Sequence, residues 1–335
     1  MILYILALIF FFLSYILTAC CRHLLIKFNV LDFPNDRGMH NSIVPRGGGL
    51  AIVISLLLYF FIQFYFSFDI ELHRYLILYI LVFALTGFLD DIFAISFKPR
   101  LLLQFIGSIY LLFFSGLIDI ADKTEIFFFS GSVLMLLLVI FLVWFINLYN
   151  FMDGIDGLAT TQAICFFSCF AFLISQYGYK YPVEDFLIYI SILCGFLLWN
   201  FHKAKIFLGD VGSCTLGILI GIHIIYFLDI DIKLFYASII LMGVFIVDAT
   251  YTLLNRLYRK QSFHSAHNSH AYQNFARKVK SHSLVTSVSI LINLFYLFPI
   301  ANLVFIIDVN PILLIFCSYF PILIGCIYLK AGIKN

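Results

Sequence analysis

Five aspartates carry the chemistry that this sequence suggests. Asp90 and Asp91 are adjacent at the end of an apolar run, Asp153 and Asp156 lie three apart between two apolar runs, and Asp210 sits in Gly209-Asp210-Val211-Gly212-Ser213. Adjacent carboxylates repel unless a cation or a proton separates them. Carboxylates at a helix C-terminus also oppose the macrodipole, so a plain solvated helix end explains Asp90 and Asp91 poorly. Asp153, Asp156 and Asp210 each read equally well as an N-cap before an apolar helix. One cap explains one aspartate, not five. Hard divalent cations take oxygen ligands, and Mg²⁺ is typically held by one or two carboxylates together with phosphate oxygens and water. Five acidic groups exceed that need, which leaves some to act as a base or to bind substrate hydroxyls.

The basic and aromatic residues divide similarly. Arg46 precedes Gly47-Gly48-Gly49, whose backbone could approach a phosphate. The run lacks the GK[ST] ending of a P-loop, and glycines also serve helix packing. Arg37, Arg46, Lys203 and Lys205 each fit the bias of basic residues toward the cytoplasmic side. Clustered beside carboxylates, they suit an anionic, metal-bound ligand such as a pyrophosphate. His267 and His270 lie three apart in a basic loop, with no third zinc ligand at the usual spacing. A loop near anionic lipid headgroups is the plainer account of that segment. Asp248 falls inside an apolar run, as either a functional carboxylate or a structural hydrogen bond to a neighbouring helix. Phe207 could stack on a base, although it is one of 41 Phe.

The elements that position these groups are membrane helices. The chain is 63% hydrophobic and 11% charged, far from the balance of a soluble domain. On a ruler of roughly 20 apolar residues per span, eleven spans are expected at about 1–21, 48–68, 75–89, 101–120, 126–146, 158–177, 185–201, 213–229, 233–254, 284–305 and 310–329. Of 20 Lys and Arg, all but Arg74, Lys123, Lys180 and Lys233 fall on the side that holds the loops after odd-numbered spans. Those loops are therefore expected in the cytoplasm, with the N-terminus outside. They run at about 22–47, 90–100, 147–157, 200–212 and 255–283, and every polar cluster named above falls in or beside them. Residues 1–20 lack a basic n-region and a small-residue cleavage site, so a retained first helix is expected. The eight cysteines lie in or beside apolar runs without CxxC spacing and read as small buried hydrophobes. No repeat or linker divides the chain. The expected fold is a single all-α integral membrane domain, residues 1–335, with its active site formed by cytoplasmic loops.

In order, the motifs are DFPNDRGMH with PRGGGLA, GFLDD, NFMDGIDGLA, NFHKAKIFLGDVGS and AHNSHAYQ. Together they make the chain resemble the polyprenyl-phosphate N-acetylhexosamine-1-phosphate transferases (glycosyltransferase family 4), from about Asp32 to Gln273. The resemblance implies that Asp90 and Asp91 act in catalysis, Asp90 as the base, with Asp91 and Asp210 as metal ligands. It implies a catalytic role for Asp156 and His267. It implies substrate contacts from Arg46, Asn150, Asp153, Asp156, Phe207 (packed on uracil) and His270. The implied cofactor is Mg²⁺, with Mn²⁺ as a substitute. The implied substrates are undecaprenyl phosphate and a UDP-N-acetylhexosamine, giving the undecaprenyl-diphosphate sugar and UMP. Pro45-Arg46-Gly47-Gly48-Gly49 and His267-Asn268-Ser269-His270 stand where the murein branch has a TPTMGG-like loop and three consecutive histidines. The AHxSHxYQ form is more like the enzymes that initiate O-antigen. The expectation is a bacterial inner-membrane enzyme facing the cytoplasm, in contact with membrane lipids, with no nucleic-acid partner and with a homodimer as an allowed assembly. The rivals are the murein-precursor transferase and, from another class, a secondary transporter. A transporter would place charges and broken helices near the bilayer midplane.

Overall fold

The computed structural model describes residues 2–34, 39, 42–66, 71–93, 95–114, 131–261 and 267–333. Arg37, Lys123, His264, the end of the span expected at 101–120 and the start of that at 126–146 lie outside the described residues. Fourteen α-helices follow one another among the described residues: α1 (Ile2–Lys27), α2 (Gly49–Phe66), α3 (Glu71–Phe93), α4 (Phe97–Phe114), α5 (Gly131–Phe151), α6 (Leu158–Tyr177), α7 (Val183–Asn200), α8 (Gly209–Ile230), α9 (Ile232–Leu241), α10 (Gly243–Tyr258), α11 (Ala271–Val279), α12 (His282–Ile292), α13 (Phe298–Ile306) and α14 (Pro311–Tyr328).

Helix α8 is the hub. It is apolar around its whole circumference and buried along nearly its whole length, as such a helix must be. Helices α2, α3 and α5 pack directly on it. They approach closely because small residues face each other. A Cβ on Gly49 would stand 2.2 Å from the Gly212 Cα, and one on Gly217 3.0 Å from the Ile146 Cα. Between membrane helices, where lipid is as apolar as Leu, such backbone contact is a main source of association. The outer helices turn large apolar side chains outward. On α1 these include Ile2, Leu8, Phe12 and Ile16, and on α14 Ile312, Phe316, Phe320 and Ile324. A surface so apolar has lipid as its natural solvent.

Nine described helical segments are long and apolar enough to cross a membrane, and α9 with α10 forms one further, bent pair. Among the described residues this makes at most ten candidate spans, against eleven expected over the whole sequence. The span expected at 101–120 appears as α4, whose first turn carries Lys98, Pro99 and Arg100 and which runs to the edge of the described residues. The span expected at 233–254 is broken between Leu241 and Gly243, where the axis turns by 65°. The one expected at 284–305 contains a π-helical turn, Asn293–Leu297. Its cause is Pro299, which has no N–H and crowds the preceding turn, so the Phe298 amide bonds instead to the Asn293 carbonyl.

The all-α expectation holds apart from one detail. In the first polar loop β1 (Leu31–Asp32) pairs antiparallel with β2 (Val44–Pro45). The next residue, Arg46, forms a parallel bridge to Phe207. The Gly48 and Gly49 amides donate to the Phe207 and Leu208 carbonyls, both at 2.8 Å. Loops 160 residues apart are thus sewn together at one end of the bundle.

Candidate active site

The first polar helix end to be satisfied is the N-terminus of α8. Its free amides need acceptors, and Asp91, at the end of α3, supplies them. Asp91 Oδ1 accepts from the Asp210 amide at 2.9 Å and Oδ2 from the Val211 amide at 3.1 Å. The turn before α8 must be glycine: Gly209 has φ +75°, and a Cβ there would stand 2.6 Å from Asp91 Oδ2 and 2.8 Å from the Gly47 amide nitrogen.

Two arginines complete this cluster. Arg46 places Nε 2.7 Å from Asp91 Oδ1 and Nη2 2.5 Å from Asp210 Oδ1. Arg100, on α4, pairs with Asp90 and places the same Nη1 3.0 Å from Asp210 Oδ2. Three carboxylates share two guanidiniums. Burial alone would lower the Arg46 pKa, but Asp210 and Asp91 beside it hold it above its ordinary value. Arg46 is charged at any working pH, and its side chain is still 38% exposed.

The loop between α5 and α6 supplies the next wall. Asn150 Nδ2, in the last turn of α5, donates to Ser213 Oγ at 2.9 Å, tying the start of this loop to α8. Asp156 accepts from the Ala204 amide at 3.0 Å and lies 3.2 Å from His282 Nδ1. It therefore braces three loops and is no N-cap. Asn200 closes the loop from behind, accepting from the Gly157 amide at 3.1 Å. Asp153 makes no such brace. Burial, with Asp210 adding repulsion, pushes its carboxyl well above the usual carboxylate range.

The histidines sit on the far side of this loop. The His267 and His270 rings stack at 4.9 Å, and His270 stacks in turn on Phe151 at 6.1 Å. Burial, with repulsion from His270 and Arg256, lowers the His267 pKa to about 3, so this imidazole is neutral near pH 7. His270 Nδ1 lies 3.4 Å from Asp248 Oδ1.

Two cavities meet at this framework. One, of about 250 Å³, is bordered by Arg46, Asn150, Asp153, Asp156, Phe207 and Asp210. The other, of about 540 Å³, has an apolar wall from Phe97, Leu101, Phe105, Ile140, Val143 and Trp144. Its polar end holds Arg100, Asn147, His267 and His270. Asn150, Asp153, Gly154 and Gln273 border both.

The expected site residues therefore gather at one end of the bundle, in a particular order. Arg46, Asn150, Asp153, Asp156, Phe207 and Asp210 face the smaller cavity, while His267 and His270 face the larger. Asp90 and Asp91 stand behind Arg100 and Arg46, off both walls. Among the described residues, no three His, Cys, Asp or Glu side chains form a group that could hold a metal ion. The oxygens are of the kind Mg²⁺ prefers, and Asp210 and Asn150 present them at the cavity wall. Both carboxylates are engaged, Asp91 by two amides and a guanidinium and Asp210 by two guanidiniums, but only Asp210 borders the cavity, where an ion would have to displace Arg46 or Arg100 from it. Sequence reasoning passed over Arg100, Asn200 and His282. Arg100, ten residues after Asp90 and opening an apolar helix, was the one with a legible signal.

The chain is similar to known proteins over most of its length. The family model of glycosyl transferase family 4 matches residues 73–228, which covers α3 through most of α8. A probable undecaprenyl-phosphate N-acetylglucosaminyl 1-phosphate transferase of Bacillus subtilis is 30% identical over 295 residues, 86% of this chain and 81% of the relative. An undecaprenyl-phosphate alpha-N-acetylglucosaminyl 1-phosphate transferase of Thermotoga maritima is 28% identical over 86% of this chain and 87% of its own. A phospho-N-acetylmuramoyl-pentapeptide-transferase of Anoxybacillus flavithermus is 31% identical over 62% of this chain and 67% of its own. With its helices turned to lipid and its matched segment carrying Asp90, Asp91, Asn150, Asp153, Asp156 and Asp210, this multi-pass membrane protein belongs to glycosyl transferase family 4.

Proposed function

We propose that the protein transfers an N-acetylhexosamine 1-phosphate from a UDP-sugar to undecaprenyl phosphate, releasing UMP. The observation that carries this reading is the meeting of a polar cavity and an apolar-walled one at Asp153 and Asn150. A soluble, charged donor suits the first. A prenyl chain suits the second, with its phosphate toward Arg100. The acceptor phosphate oxygen attacks the donor's β-phosphorus. The bond from that phosphorus to the bridging oxygen breaks, and UMP leaves with both electrons. Arg46 is aimed at the diphosphate and Arg100 at the acceptor phosphate, as charge-assisted donors. Asn150, Asp156 and Phe207 hold the donor. A phosphate monoester has its second pKa near 6, so little proton transfer is needed. Asp153 is better placed for it than Asp90, which reaches the larger cavity only through Arg100.

Asp210 and Asn150 would hold Mg²⁺. When bound, the ion neutralises charge on the diphosphate. Its need is testable: Asp210→Asn should abolish metal-dependent UMP release, while Asp91→Asn should act mainly by loosening the α8 N-terminus. Equal metal titrations in the parent and Asp210→Asn would remove Asp210 from the ion.

The relatives named for N-acetylglucosamine align over 86% of the chain, against 62% for the N-acetylmuramoyl-pentapeptide relative. This favours UDP-GlcNAc or a related deoxy-N-acetylhexosamine over the murein donor. Initiation of a cell-surface polysaccharide such as O-antigen, at the cytoplasmic face of the inner membrane, is the role that fits. The test is purified protein with undecaprenyl phosphate and a panel of UDP-sugars, reading the lipid product by mass spectrometry. Failure to make any diphospholipid from any donor refutes the reading.

A further inference from the structure

Asp248 lies in α10, inside the bent pair of helices, and is buried. A carboxylate among apolar helices is costly unless its hydrogen-bonding capacity is met. Here it is met mostly by one segment. The Ala271 amide donates at 2.8 Å, the Tyr272 amide at 2.9 Å, and His270 Nδ1 lies 3.4 Å away. Thr252 Oγ1, one turn along α10, donates at 3.0 Å. The start of α11 is thereby pinned to a transmembrane helix. Tyr272 then continues across the gap: its hydroxyl donates to the Phe151 carbonyl at 2.9 Å, immediately before the loop that holds Asp153 and Asp156. The His270 ring, 5.8 Å from that of Tyr272, stacks on Phe151 beside it. Tyr272 is therefore tied at its backbone to Asp248 and at its hydroxyl to the catalytic loop.

We propose that Asp248 is a positioning residue that latches the 267–273 segment and, through Tyr272, sets the 152–157 loop. The kinetic half of its test rests on the proposed transferase reaction; the structural half does not. A mere helix cap would loosen α11 alone, whereas a latch loosens both segments together.

The experiment is hydrogen–deuterium exchange on the full-length protein in lipid nanodiscs, comparing the parent with Asp248→Asn. Losing a cap-like contact should speed exchange about tenfold. The acceleration is expected at both 267–273 and 152–157, with α1 and α8 unchanged. Acceleration confined to 267–273 overturns the proposal. Should Asp248→Asn unfold, Thr252→Val removes a single donor and is read at the same two segments with the same criterion. In the UMP assay, kcat should fall with the donor KM within about threefold. The losses of Asp248→Asn and Tyr272→Phe should combine to at least about threefold less than their product, as expected for residues acting through one path. Losses that multiply overturn it. If the parent releases no UMP from any UDP-sugar, the functional reading fails, and exchange still decides the latch.

Discussion

Gly154 offers a test of the site's geometry with a built-in rescue. A Cβ added at this position would stand 2.2 Å from the Tyr272 hydroxyl oxygen, 2.9 Å from Gln273 Nε2 and 3.2 Å from Tyr272 Cζ. Ordinary contact begins at 3.4 Å, so in Gly154→Ala the hydroxyl must retreat by more than an ångström. That motion breaks its 2.9 Å bond to the Phe151 carbonyl, worth about 1 kcal/mol. The overpacking itself costs about 1–3 kcal/mol. Stability should fall by an amount of that size. The effect on rate should be larger, because a misplacement of about 1 Å at a reacting centre costs on the order of 100-fold. Tyr272→Phe alone should be mild, about fivefold, from the lost hydrogen bond. In the double variant the closest atom is gone, and what remains is the flexible Gln273 amide and a ring carbon that must yield a few tenths of an ångström. Gly154→Ala/Tyr272→Phe should therefore be faster than Gly154→Ala by about fivefold or more, reversing the sign of the tyrosine substitution. UMP release and thermal unfolding of the four proteins in detergent measure both effects. A double variant slower than Gly154→Ala, or a Gly154→Ala protein within about twofold of the parent, refutes the placement of Tyr272 against the loop.

Three further outcomes follow from the charges. The Asp153 carboxyl is held above the usual carboxylate range, so its proton is lost only at higher pH than that of a free Asp. If it acts ionised, the acid limb of kcat/KM should lie above about pH 4 and disappear in Asp153→Asn; an unchanged limb in that variant removes it as the base. His267, lowered to about 3, binds its proton more weakly folded than unfolded. It should contribute no limb between about pH 5 and 8, and stability should rise with pH from about 3 to 6.5 through this group; a limb near 6 lost in His267→Gln contradicts this. Arg46→Gln should raise the donor KM by about tenfold or more, since a charge-assisted contact to phosphate is worth about 1.5–3 kcal/mol. Its carboxylate partners are buried, so the variant should also lose about 1–3 kcal/mol of stability; an unchanged KM takes it off the diphosphate.

Where sequence reasoning about spans failed, the causes were local. A run of apolar residues shows that a segment belongs in lipid but not that it is straight, so the break beside Met242 and the π turn before Pro299 were hidden in 233–254 and 284–305. The first turn of α4 also carries more than a span boundary: its Arg100 pairs with two aspartates. Asp248 was left between two roles because hydrogen-bond donors from residue 271 onward are invisible along one helix.

By itself the sequence determined that the chain is a multi-span helical membrane protein and that most of its charged residues fall in the loops between spans. Both follow from composition, since lipid excludes charge wherever it is not paired. The order of the motifs also carried the family. Only the tertiary structure decided which groups touch. Asp90 and Asp91 are neighbours in sequence, yet one holds Arg100 and the other holds the α8 N-terminus and Arg46. Asp153 and Asp156 look interchangeable, yet one borders both cavities and the other braces the Ala204 amide and His282. The reason is physical: a carboxylate's role is set by the donors that surround it, and those donors come from other helices and loops of the folded chain.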